Sequence, residues 1–148
     1  MSLKLDVEQH GVREATADLL ELGIRASDVR AVSLKIGRIV SESTKRRFQS
    51  RGSGSWPPLA ESTKERKARD GLDPRPMRAT GALYASLTKP QPTTALPDEL
   101  HYGTDLPYSR FGHYGTVNEP TRRLVELRPS ERRQVEEVLT YYISRGER

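Results

Sequence analysis

Two stretches of this 148-residue chain place apolar side chains at helical spacing, and they limit the fold more than any other feature. In the first, Val29, Val32, Ile36, Ile39 and Val40 fall on one face, and Phe48 extends that face. Arg38, Glu42, Lys45 and Arg46 fall largely elsewhere. In the second, Val135, Val138, Leu139, Tyr142 and Ile143 keep i, i+3, i+4, i+7, i+8 spacing until Gly146. Each pattern predicts a long helix with one apolar face that needs another layer to cover it. Ser27 or Asp28 suits the N-cap of the first. Pro129 and Ser130 open the second, with Ser130 as cap and Glu131 in the first turn.

The remaining chain is read around these two helices. Leu3, Leu5 and Val7 alternate with charged residues, as a half-buried strand does. Val12, Ala15, Leu19 and Leu22 follow helical spacing, and Gly23 is a suitable stop. Residues 51–55 form a Gly-Ser loop leading into Trp56-Pro57-Pro58-Leu59. Residues 61–69 read as a short charged helix. Residues 70–78, with Gly71, Pro74 and Pro76, read as a loop. Mobility is expected near 50–56 and 70–79, where the composition allows disorder before a partner binds. Thr80 caps a turn or two of helix that buries Leu83. Residues 86–90 and 99–104 are expected to form a loose hairpin, and residues 123–128 a last strand. Pro90, Pro92 and Pro97 exclude a central strand between them. The expected fold is α+β: a small, mainly antiparallel sheet packed against two long helices, with additional short helices, in a single domain over residues 1–148.

Residues 102–115 hold the densest aromatics: Tyr102, Tyr108, Phe111 and Tyr114, with three glycines, Pro107 and His113. The tetrapeptide His-Tyr-Gly-Thr stands at both 101–104 and 113–116. The stretch reads as strand end, tight turn, short helix and second turn. Its rings either half-cover the core or serve a contact. Tyrosine is amphipathic and enriched at interfaces. Tyr102, Tyr108, Phe111 and Tyr114 are therefore candidate interface residues, with Tyr108 and Tyr114 as anchors. A partner patch is sought on residues 132–141 or around residues 45–47. Trp56 reads as the anchor that pins its loop to the core, and it joins the interface candidates as a ring able to stack.

The net charge of +5 is uneven. Residues 1–30 carry four basic and six acidic side chains, residues 31–89 thirteen and five, and residues 90–148 eight and nine. The basic middle admits contact with DNA or an acidic partner through Lys45, Arg46, Arg47, Arg51, Lys64 and Lys67, the alternative being a solvated helix face. The chain has no cysteine, so disulfides and thiolate zinc sites are excluded. No stretch approaches the ~20 apolar residues of a membrane span. The N-terminus lacks a signal-peptide apolar run. A soluble cytosolic protein is expected. Of the three histidines, His101 and His113 are the pair able to approach each other, but no third ligand has metal spacing. Ser86 and Ser109 lack a nucleophile elbow. Glu136 and Glu137 point in different directions on one helix. No enzyme, cofactor or metal is expected.

Several separated features together resemble one family. They are Trp56-Pro57-Pro58-Leu59 with Thr63 and Lys67, then Thr80-Gly81-x-Leu83-x-x-Ser86, Tyr102-Gly103-Thr104, Pro107-Tyr108 and Gly115. With the strand and amphipathic helix that finish the chain, this is similar to the Mu-like phage virion morphogenesis family, related to phage tail completion and neck proteins. The resemblance covers roughly residues 3–145. Gly112 stands where that family often has a histidine or an acid, and Arg122-Arg123-Leu124 replaces its Arg-Pro-Phe. The resemblance implies a structural protein of a tailed phage or prophage that acts at the head–tail junction. It implies a ring of copies of the chain, for instance a hexamer, joined to tail-tube or head-neck proteins, with DNA passing through non-specifically. The location implied is the host cytoplasm during assembly and then the virion. A basic DNA-binding accessory protein is the alternative, and a small hydrolase a distant third.

Overall fold

The apolar spacing that ends at Phe48 produces the central helix. The structure, a computed structural model, describes residues 11–146. Helix α1 spans Val12–Ser27, a 3-10 turn follows at Arg30–Val32, and helix α2 spans Ser33–Gln49. Then come α3 (Glu61–Arg69), α4 (Ala82–Leu87), β1 (Thr94–Ala95), β2 (Leu100–His101), α5 (Ser109–Tyr114) and α6 (Pro129–Arg145). The fold is α+β, mostly helical, with one antiparallel pair of strands. Thr94 pairs with His101 and Ala95 with Leu100.

Helix α2 feeds two apolar clusters. Val32, Ile36 and Val40 pack against Val135, Val138, Leu139 and Tyr142 of α6. At the other end Phe48 packs with Trp56, Leu83, Leu87 and Leu124. The Trp56 and Tyr84 rings stand edge-on to Phe48, at 5.2 and 5.3 Å between centroids. Such pairs add about 0.5–1.5 kcal/mol beyond area burial. Val125 touches both clusters and joins them.

A single carboxylate locks α2 to α6. Glu131 is 2 % exposed. It accepts hydrogen bonds from the backbone N–H of Arg128 (2.7 Å), the Arg128 Nη2 (2.8 Å), the Arg46 Nη2 (2.8 Å) and the Ser43 hydroxyl (2.8 Å). The first of these bonds satisfies an otherwise orphaned backbone group at the helix start. Ser130, expected to cap α6, lies inside its first turn; Arg128 is the cap residue and Glu131 does the capping. Burial alone pushes the Glu131 carboxyl up, but the donors from Arg128, Arg46 and Ser43 outweigh it and bring its pKa down to about 2.

The sheet is smaller than the sequence suggests, and each difference has a cause. Residues 86 and 87 finish α4, so the hairpin is not made by residues 86–90. Its first strand is instead the exposed Thr94–Ala95, an edge position that the flanking prolines tolerate. Residues 123–128 form no strand and bend at Val125. Side chains take the carbonyls that a sheet partner would have taken: Arg47 Nε (2.6 Å) and Trp56 Nε1 (3.3 Å) donate to Arg123, and Ser43 Oγ (3.4 Å) to Glu126. The strand expected at residues 3–7 lies outside the described residues. Helix α1 runs through Gly23 to Ser27. Asp28 starts the 3-10 turn, accepting from the backbone N–H of Arg30 at 3.0 Å.

Gly37 lies inside α2, where glycine is unfavourable by about 1 kcal/mol against alanine. Its presence follows from a close crossing. A Cβ there would stand 1.6 Å from the Pro90 carbonyl oxygen and 2.9 Å from the Tyr102 ring.

Two outcomes follow from this packing. Gly37→Ala is expected to destabilise the protein by about 2 kcal/mol or more, an overpacking cost larger than the helix-propensity gain; a urea melt showing increased stability refutes the crossing. Glu131→Gln is expected to cost about 2 kcal/mol, below the full cost of breaking a buried ion pair, because Arg46 and Arg128 remain half in water. The folded pKa of Glu131 lies below its unfolded value near 4.5, so its stabilisation is complete above that value and is lost as pH falls towards 2. Acid melts of the Gln variant are expected to lack that portion of the pH dependence.

Candidate functional site

The aromatic stretch 102–115 divides into an inner and an outer half. Tyr102 is half-buried against the Val32 cluster and donates its hydroxyl to the Ser33 carbonyl. Burial pushes its phenol up to about 12, against a smaller lowering from the Gly37 backbone. Leu106 packs on the Phe48 cluster. Beyond it the chain turns into α5, where Tyr108, Phe111 and Tyr114 are 46, 42 and 76 % exposed. Gly115 closes the turn at φ 78°, a region that favours glycine. A Cβ at Gly115 would also approach the Glu119 carbonyl oxygen to 2.9 Å. The backbone N–H of Arg122 then bonds back to the Gly112 carbonyl at 2.8 Å. Three rings are thus presented on a short frame whose turn is hydrogen-bonded shut.

His113 belongs to that frame. Its Nδ1 accepts the backbone N–H of Leu124 at 3.1 Å, which requires the neutral ring. Burial lowers its pKa, and the charges of Arg123 and Arg47 lower it further, against a smaller raising effect of Glu126. His101 sits apart on the hairpin, with Nε2 2.9 Å from Glu99. Among the described residues no group of three or more His, Asp or Glu side chains is placed to hold a metal ion. Among them also no helix is long and apolar enough to cross a membrane.

Beneath α5 opens a cleft of about 1070 Å³, walled by α3, the loop after it, and residues 116–122. Tyr108 and Phe111 form one lip, and Met77 and Leu83 lie deeper. Its walls include two buried cations, Lys67 and Arg122, at 6 and 5 % exposure. Lys67 Nζ donates to the Asp73 and Arg75 carbonyls at 2.9 and 2.7 Å. Arg122 donates through Nη2 to the Pro57 and Pro58 carbonyls at 3.0 and 3.3 Å. Burial lowers the pKa of both. Each cation ties down a loop: Lys67 the 70–79 loop, Arg122 the Trp-Pro-Pro segment.

Hydrogen bonds also run within the two loops expected to be mobile. Residues 50–56 are closed by bonds such as Gly52 N–H to the Arg47 carbonyl and Trp56 N–H to the Arg51 carbonyl, at 2.8 and 3.1 Å. In the second loop Asp73 accepts from the backbone and side chain of Arg75, and Asp73 N–H reaches the Ala79 carbonyl at 3.2 Å.

The candidate residues separate accordingly. Tyr108 at the cap of α5, and Phe111 and Tyr114 within it, are each exposed. Trp56 does not join them: it is 6 % exposed, and its ring faces Phe48. The six basic candidates form no open patch. Arg46 pairs with Glu131, Arg47 with Glu126, Lys45 with Glu42 and Lys64 with Glu61. Lys67 is buried, and Arg51 remains exposed on its turn. The hub at Glu131 and the buried Arg122 escape a reading by residue type, because charged residues are usually solvated. Gly37 was findable: a glycine inside a helical pattern marks a close approach.

Scans of the chain against models of protein families, curated proteins and solved structures match nothing.

The bond to His113 gives a pH test. Its folded pKa lies below its unfolded value of about 6.5, so the fold is expected to lose stability as pH falls below that value, until the folded ring also protonates. His113→Asn keeps an acceptor near the Leu124 N–H and is expected to remove this dependence between pH 7 and 5. Chemical melts at stepped pH measure it, and an unchanged slope in the variant excludes His113 as the source.

Proposed function

We propose that this protein is a structural subunit of a tailed phage or prophage that works in virion assembly at the head–tail junction, as a tail completion or neck component. The observation that carries the reading is the presentation of Tyr108, Phe111 and Tyr114 on α5, outside the two apolar clusters and on a frame closed by Gly115. Large rings on a pre-shaped frame lose little conformational entropy on binding, which suits a permanent protein contact. The order of the Trp-Pro-Pro, Thr-Gly-x-Leu and Tyr-Gly-Thr motifs supports the same reading by resemblance. In it the chain assembles as a ring, meets tail-tube or head-neck proteins, and surrounds DNA without reading its sequence. It acts in the host cytoplasm and then in the particle. A DNA-binding role finds less support, since the cations of α2 and α3 are largely engaged in ion pairs.

The test replaces Tyr108 and Tyr114 by alanine. Both rings are substantially exposed, so the double variant is expected to fold with a thermal midpoint within a few degrees of the parent. Supplied to a phage lacking the gene, it is expected to lower the yield of infectious particles at least tenfold, since interface anchors carry about 2 kcal/mol or more each. A folded double variant that restores full yield refutes the role of α5. A gene whose loss leaves particle yield unchanged refutes the assembly function itself.

A further inference from the structure

We propose that the hollow between α5 and α6 binds a carboxylate carried by an acidic segment of a partner protein. The contact deepens the assembly reading by naming the chemistry that sits beside Tyr114, and it rests on that reading only for the partner being a protein.

The hollow measures about 460 Å³. Its walls include His113 and Tyr114 of α5, Arg123 and Glu126 of the following segment, and Arg132 in the first turns of α6. The volume falls within the ~300–1,000 Å³ range of ligand pockets. It is many times the ~30 Å³ that one water occupies, so a bare anion does not fill it. The His113 ring stands edge-on to the Tyr114 ring, at 4.7 Å between centroids.

Two donors on these walls lack an acceptor. The Nδ1 of His113 takes the Leu124 N–H, so the proton of the neutral ring sits on Nε2. That Nε2–H makes no hydrogen bond with the described residues. The Arg132 side chain is exposed and makes neither a hydrogen bond nor an ion pair with them, Glu136 one turn along α6 included. Glu126, the carboxylate in the wall, is already shared. Its Oε2 accepts from Arg47 of α2, and its Oε1 from Arg123 at 3.2 Å. Three guanidiniums thus surround the hollow against one carboxylate. The ring of His113 registers the imbalance. Burial lowers its pKa most, and Arg123 and Arg47 lower it further against the smaller opposite effect of Glu126.

A carboxylate completes this arrangement. Its oxygens can accept from the Nε2–H and from the Arg132 guanidinium, and bonds to an ionised acceptor are the stronger kind. An acceptor on Nε2–H also makes Nδ1 a better acceptor for the Leu124 N–H, since hydrogen bonds in a chain polarise one another. Binding there therefore tightens the frame that holds α5. Tyr114 is 76 % exposed, and its ring offers apolar area to residues flanking the acid. A free inorganic anion leaves that area unused.

The test follows the His113 ring by NMR, with the His113→Asn variant giving its assignment. The probes are a terminally blocked peptide of alternating glutamate and alanine, its glutamine counterpart, and inorganic phosphate, all at low salt. The glutamate peptide is expected to shift the His113 resonances saturably and to raise the pKa of the ring, because a nearby negative charge favours the protonated form. The glutamine peptide is expected to shift nothing. Arg132→Gln, on an exposed position that leaves the fold intact, is expected to weaken peptide binding about tenfold or more, the loss of one charge-assisted bond. A glutamate peptide that leaves His113 unmoved overturns the proposal. So does an Arg132→Gln variant that binds like the parent, and so does a peptide that moves His101 as strongly as His113. Phosphate that binds as tightly as the peptide overturns the protein partner and makes this a small-anion site. All of this is read on the isolated chain, so its failure is separate from failure of the particle-yield test.

Discussion

The carboxylate of Glu131 is the point on which the architecture depends. It sits at the start of α6 and collects donors from α6's own cap residue and from two side chains of α2. Apolar packing between α2 and α6 is non-directional and tolerates sliding of one helix along the other. Ion pairs and hydrogen bonds of fixed length remove that freedom. With Glu131 in place, Val32, Ile36 and Val40 meet one set of α6 side chains, and Val125 is carried into contact with both clusters. The frame of α5 is in turn fixed by the segment that precedes α6, through the Leu124 N–H on His113.

The basic middle of the chain acquires a different meaning in three dimensions. Arg46 and Arg47 read in the sequence as part of an electropositive surface, and Arg46 does keep half of its side chain in water. Both also reach across to Glu131 and Glu126 and act as ties between elements. Lys67 and Arg122 go further and are buried as loop clamps. Cations used in this way contribute to internal order. The large apolar and aromatic side chains left exposed include Leu19, Leu20, Ile24, Tyr108 and Tyr114.

The long helices were legible because helical periodicity records burial directly: of the apolar positions named for α2 and α6, all but Ile39 and Ile143 pack in the two clusters. Leu83 and the short helix around it were legible for the same reason, although Gly81 and not Thr80 is the cap residue. The strand expected at residues 123–128 was not, because an extended run of Leu124, Val125 and Leu127 looks the same whether its carbonyls bond to a strand or to side chains. Those bonding partners, Ser43, Arg47 and Trp56, lie far away in sequence and cannot be read from local pattern. The apolar face of α1 was legible as a periodicity but misleading as a burial signal, since this helix leaves its ridge in water. In the aromatic stretch, the presence of a turn-bound cluster was readable, whereas the separation of inward Tyr102 from outward Tyr108 and Tyr114 depended on the crossing at Gly37.

The side-chain donors on residues 123–128 have one more consequence. Main-chain edges are where chains add strands to one another, natively or in aggregates. Here residues 123–128 bend at Val125 and have the Arg123 and Glu126 carbonyls occupied by arginine, tryptophan and serine, so they offer a broken template. The hairpin contributes two residues per strand, too short to propagate a ladder. In the ring proposed for this chain, copies would therefore meet through side-chain shape and charge, a mode that allows a closed count of subunits where strand addition would run on without limit.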